Sequence, residues 1–90
     1  MGLKDWKVYM IRCDDESLYT GVTTDVERRF REHLGTRRGA KYFNGRIPLE
    51  VVYIEAGHGR SSACQREAAL KKLSRIEKLN LVAAKESKIN

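Results

Sequence analysis

The chain opens with two short apolar runs, WKVYMIRC and SLYTGVT, rich in β-branched and aromatic residues. The polar DDES separates them, so the pattern predicts a β-hairpin. Thr24 with Glu27 three residues later has the spacing of a capping box and predicts a helix start. Val26, Phe30 and Leu34 then form one apolar stripe, and Gly35 is the expected C-cap. TRRGAKYFNGRIP is a charged, glycine-containing connection with room for a short helical turn, and LEVVYIEA is a third strand. Two further helices carry their own capping-box spacings, Ser62 with Gln65 and Ser74 with Glu77. The order ββαβαα predicts an α/β (α+β) domain, a small three-stranded antiparallel sheet flanked by helices. Residues 1–90 read as a single domain with its core at about 6–83. Val26, Phe30, Val52, Ile54, Leu70, Leu73 and Tyr53 are the expected core, Tyr42 an aromatic surface residue.

Composition narrows the class. With 90 residues, 41% hydrophobic and 33% charged, the chain is long enough for one modest core. No apolar run reaches membrane-spanning length, and MGLKDWK lacks a signal peptide's apolar region, so the expectation is a cytoplasmic protein without membrane partners. Cys13 and Cys64 have no metal-ligand spacing and are expected as reduced, packed thiols.

Charge changes the picture more. The formal net charge is +6. Residues 28–46 hold Arg28, Arg29, Arg31, Arg37, Arg38, Lys41 and Arg46 against Glu32 alone, so seven cations and one acid there equal the net charge of the whole chain. Phe30, Tyr42 and Phe43 lie among them. Cations release counterions from phosphates and rings stack on bases, so this stripe suits nucleic acid. A solvated, solubilising surface is the competing reading.

Periodicity places the chemistry. On the first strand Lys7, Tyr9 and Ile11 share one face, and Val8, Met10 and Arg12 the other. The hairpin can bring Tyr19 close to Tyr9. A 100° step sets Arg29 and His33 one turn apart beside the apolar stripe, with Arg29 half-buried toward the sheet. Arg28 and Arg31 point away, free for solvent or phosphate. Glu67 falls on the line Ala63–Glu67–Leu70 at the edge of an inward face, where a carboxylate is costly unless it meets a cation or metal. Each residue also has a structural reading: tethered core tyrosines, an Arg29–Glu67 ion pair, a surface His33, and His58 in a mobile loop.

Tyr9 in KVY, Tyr19 in YTG, the following TTDVERR and the downstream Glu67 together resemble the GIY-YIG nuclease domain, over most of the chain. The likeness is greatest to its small stand-alone bacterial members. It implies a metal-dependent endonuclease that hydrolyses DNA phosphodiester bonds, with branched, damaged or single-stranded DNA as candidate substrates and a protein partner as a further option. Residue by residue it implies Tyr9 and Tyr19 as the motif tyrosines, Arg29 and His33 as helix residues of the catalytic set, Glu67 as metal ligand, and Gly21 as the second motif's glycine. Lys7, Val8 and Thr20 stand where the motifs have glycine, isoleucine and isoleucine. Lys7 could stabilise a phenolate, contact phosphate, or crowd the site.

The chemistry is coherent with that set. An ordinary tyrosine has a pKa of about 10 and needs neighbouring cations to act as a base. One Mg²⁺ or Mn²⁺ can be held by a single carboxylate, because it keeps waters and takes phosphate oxygens. The alternative function is a nucleic-acid binding module with little or no catalytic activity; a purely protein-binding role is the third.

Overall fold

The computed structural model describes residues 5–35, 43 and 45–87. β1 (Trp6–Cys13) and β2 (Leu18–Thr23) form the hairpin, followed by α1 (Val26–Gly35), β3 (Pro48–His58), α2 (Arg60–Lys71) and α3 (Arg75–Ser87). The sheet order is β2-β1-β3, with both pairings antiparallel. The expected α+β architecture is therefore the observed one.

β1 is the central strand and is buried on both faces. Val8, Tyr9, Met10, Ile11 and Cys13 are all closed to solvent. That explains why its apolar run is nearly continuous rather than alternating. Val8 and Met10 pack with Tyr53, Ala63, Leu70 and Val82 beneath α2 and α3. Tyr9, Ile11 and Cys13 pack with Val26 and the half-buried Phe30, Tyr19, Phe43 and Val51 on the α1 face.

The hairpin turns through Asp14, Asp15 and Glu16. Glu16 sits in the left-handed region at φ 67°, and its N–H donates to Cys13 O at 2.9 Å. Asp15 Oδ1 accepts the Ser17 N–H at 3.0 Å, a short side chain standing in for the missing backbone partner.

Two expected helix starts are corrected. α1 is capped by Asp25, whose Oδ1 accepts the Arg28 N–H at 3.0 Å. The expected cap, Thr24, lies one residue too early, and Thr23 Oγ1 instead accepts the Asp25 N–H at 3.1 Å. α2 starts after Gly59, which offers no side-chain cap. Ser62 therefore lies inside the first turn and meets His58 Nδ1 at 2.5 Å. His58, expected in a mobile loop, ends β3 and is also held by Glu55 Oε1 at 2.7 Å. The third box is as expected: Ser74 N–H donates to Glu77 Oε1, and Glu77 N–H donates to Ser74 Oγ.

The expected core is corrected at Ile54, and the expected apolar stripe of α1 at Leu34. Leu34 is 53% exposed and Ile54 38% exposed. His33 occupies the inward position instead of Leu34, because the α1 face that meets the tyrosines is turned slightly from the apolar stripe. Val26 and Leu70 are buried; Phe30, Val52 and Leu73 are half-buried. Tyr53 is core, whereas Tyr42 lies outside the described residues. Cys13 is buried and Cys64 exposed, both free thiols. No helix among the described residues is long and apolar enough to cross a membrane.

The caps give a direct test. Ser74→Ala should lower stability by about 1 kcal/mol, since the Glu77 N–H loses the Ser74 Oγ acceptor while the backbone N–H of residue 74 still donates to Glu77. Thr24→Ala should change it by no more than a few tenths, and urea denaturation of the two variants reads the difference.

Candidate functional site

The tyrosine cluster is built by strand pairing. Tyr9 lies opposite Gly21 and Ile11 opposite Tyr19, so all four face α1. A Cβ added to Gly21 would stand 2.7 Å from Tyr9 Oη and 2.9 Å from Tyr19 Cε2. Only glycine lets both rings lie across the strand there. The rings of Tyr9 and Tyr19 are 6.1 Å apart between centroids.

α1 supplies the rest. His33 is 5% exposed, and its Nε2 lies 3.0 Å from Tyr9 Oη. Its Nδ1 is buried with no hydrogen-bond partner among the described residues. If Tyr9 donated to Nε2, the ring proton would sit on Nδ1 as a stranded donor. If Nε2–H donates to Tyr9 Oη, only a lone pair is left unmet at Nδ1. A stranded N–H is the costlier defect, so Nε2–H is assigned as the donor. Phe43 closes the group at 4.8 Å from Tyr19 and 4.5 Å from His33. Tyr9 is thereby sealed at 1% exposure, while Tyr19 and Arg29 stay half-buried and open to solvent.

Electrostatics differ from the expectation of an acidified tyrosine. Burial raises the Tyr9 pKa above its ordinary value, and Tyr19 adds to that; the Arg29 charge pulls the other way. The phenol is therefore protonated at neutral pH. Burial, reinforced by the Arg29 charge, lowers His33 to about 4, so its imidazole is neutral. Arg29 itself is kept charged by Glu32, its Nη1 lying 2.9 Å from Oε1.

The remaining candidates separate spatially. Lys7 lies opposite Thr23 on the tyrosine face, but its ammonium is 3.4 Å from Asp5 Oδ2 and 3.5 Å from Thr24 O. Val8 packs against α2 and so does the neighbouring face of β2 that carries Thr20, so these two departures from the motif leave the rings untouched. Glu67 is half-buried between Ala63 and Leu70 on α2, across the sheet from α1, and its Oε2 lies 3.3 Å from Lys71 Nζ. The expected structural pairing of Arg29 with Glu67 is replaced by Arg29–Glu32 and Glu67–Lys71. Arg28 and Arg31 are exposed, Arg31 beside Glu27 at 3.1 Å, and Arg46 pairs with Asp15 at 2.8 Å. Arg37, Arg38 and Lys41 lie outside the described residues.

Two contributors were not singled out from sequence as site residues. Glu32 carried a weak signal, its i,i+3 spacing from Arg29. Phe43 read as one ring of a basic stripe, and only the tertiary fold turns it onto Tyr19 and His33.

The deciding comparison is with family models: the GIY-YIG catalytic domain matches residues 5–80. The chain belongs to the GIY-YIG family. This is a nuclease family, acting in general on DNA and in general dependent on a divalent metal. The chain is 52% identical to a UPF0213 protein of Natronomonas pharaonis over 79 residues, 88% of this chain and 92% of that one. It is 46% identical to a UPF0213 protein of Desulfotalea psychrophila, over 90% of this chain and 74% of the other. A solution NMR structure of a UPF0213 protein from Bacillus halodurans has 42% identity and a TM-score of 0.57, covering 90% of this chain and 85% of that one.

Among the described residues of this GIY-YIG domain no three His, Cys, Asp or Glu side chains converge as a metal-holding group. A hydrated hard cation needs only one carboxylate beside water and phosphate oxygens, and Glu67, the expected ligand, has its Oε2 3.3 Å from Lys71 Nζ.

The buried imidazole yields a pH prediction. His33 has an ordinary value of 6.5 and about 4 in the fold, so the unfolded chain binds its proton more readily. The associated stability is fully present above about pH 6.5 and is lost as pH falls toward 4. Denaturation at pH 7 and 4.5 should differ by roughly 2–3 kcal/mol more in the wild type than in His33→Phe. Parallel pH profiles would show that His33 is not buried neutral.

Proposed function

We propose that this protein is a metal-dependent endonuclease that hydrolyses DNA phosphodiester bonds, with branched, damaged or single-stranded DNA as candidate substrates. The observation that carries the reading is the Tyr9–His33 hydrogen bond beneath a half-exposed Tyr19 and Arg29. A hydrolase needs a proton acceptor, a cation for the phosphorane charge, and an open approach beside both. Tyr19 and Arg29 meet the scissile phosphate, with Arg29 neutralising its developing charge. Tyr9 is the proton-accepting group, and two features of the chain favour its phenolate: the Arg29 charge and the N–H of His33. Glu67, on the helix α2 that packs against the edge strand β2, would hold the Mg²⁺ or Mn²⁺, and the ion would supply Lewis acidity to phosphate oxygens reaching round that edge. Arg28, Arg31, Arg37, Arg38, Lys41, Arg46 and Lys7 would hold the rest of the backbone.

One observation favours the second reading, a binding module with little turnover. Tyr9 is sealed under the rings of Tyr19, His33 and Phe43, and burial disfavours the phenolate that would accept the proton.

Cleavage of duplex, single-stranded, flap and four-way DNA, with Mg²⁺, Mn²⁺ or EDTA, separates the two. The endonuclease reading expects cleavage that EDTA abolishes and that rises with pH above neutral, because the active form of Tyr9 is deprotonated. Tyr9→Phe should lower the rate by about 10²–10⁴-fold. Glu67→Gln should lower it by orders of magnitude while DNA binding persists. Tight DNA binding with no cleavage under any of these conditions would leave the binding module.

A further inference from the structure

A second polar feature lies on the other side of β2 from the tyrosines. Ser17, Leu18, Arg75 and Lys78 line a cleft of about 230 Å³ between the hairpin end and α3. Arg75 donates to the Glu16 carbonyl oxygen, which docks its guanidinium against the hairpin. The acids nearest in the turn are engaged elsewhere: Glu16 with Arg12 at 3.1 Å, and Asp15 with Arg46 at 2.8 Å. Lys78 is half-buried, and among the described residues no carboxylate lies within ion-pair distance of its ammonium. Burial holds its pKa below the ordinary lysine value, Lys71 adds to the repulsion, and no acid opposes them. A partly desolvated cation without a counter-ion is costly, and an anion in the cleft removes that cost.

We propose that this cleft is a phosphate subsite that anchors the nucleic-acid backbone away from the tyrosine site. The proposal rests on the nucleic-acid reading above and adds a second face to it. Leu18 and Tyr19 are consecutive residues on opposite faces of the edge strand β2. A backbone crossing that edge meets Tyr19 and Arg29 on one side, then Arg75 and Lys78 on the other. The acidic ligand candidate Glu67 and its partner Lys71 lie on α2, one helical turn apart, along the same side of the sheet.

Lys78→Met and Arg75→Gln test the subsite, each in the full chain. Lys78→Met removes a half-buried charge that has no counter-ion among the described residues, so its melting temperature should equal or exceed the wild-type value. The same variant should bind DNA several-fold more weakly at low salt. Its log–log salt slope should shrink by about 0.9 for the lost phosphate contact on duplex. Inorganic phosphate reads the subsite without nucleic acid, and its titration should shift the amide resonances of Ser17, Leu18, Arg75 and Lys78 in the wild type and not in Lys78→Met. Absence of those shifts overturns the proposal. A wild type that binds DNA with a salt slope unchanged in both variants also overturns it, while leaving the nucleic-acid reading intact. Failure of the wild type to bind any nucleic acid would instead defeat that reading.

Discussion

The demand on which this fold turns is that β1 be covered on both faces at once. Eight residues carry two apolar surfaces, Val8 and Met10 on one side, Tyr9, Ile11 and Cys13 on the other. A three-stranded sheet with helices on one side alone would leave Tyr9 and Ile11 wet. Burying the five side chains is worth several kcal/mol in a domain whose net stability is of that order. α1 is thus drawn onto the tyrosine face and α2 and α3 onto the other. The division assigns the chemistry as well: phenols, imidazole and one guanidinium on the α1 side, the carboxylate and the lysines of α2 and α3 across the sheet.

The same burial sets the character of Tyr9. A phenol placed centrally in a sheet loses water on all sides, which raises its pKa, and the compensating interactions are the His33 N–H and the Arg29 charge. Gly21 is what permits the arrangement, because a methyl group there would collide with the hydroxyl itself. The glycine and the tyrosine are therefore one device in two strands, not two separate motif letters.

Much of this was legible in the chain. Alternation in KVYMI set the two faces, and the 100° helical step placed Arg29 and His33 one turn apart. The capping box at Ser74 marked α3 because both its partners are local. Where reading failed, a non-local or competing partner was responsible. Ser62 has the spacing of a cap, yet His58 from the preceding strand claims its hydroxyl. Leu34 fits the apolar stripe of α1, but the Tyr9 hydroxyl makes His33 the better inward residue. Phe43 comes from a charged connection whose local pattern says nothing about the rings it covers. Lys78 belongs with these: nothing local marks it, and it is the docking of α3 that half-buries it with no counter-ion among the described residues.

The central claim is that a neutral His33 donates through Nε2 to Tyr9, and imidazole ¹⁵N NMR reads it most directly. The account predicts a protonated Nε2 and a bare Nδ1 at pH 7, with no imidazolium until the pH falls below about 5. In Tyr9→Phe the Nε2 resonance should move, because its acceptor is gone. A His33 that titrates near 6.5, or one whose proton resides on Nδ1, would contradict the account.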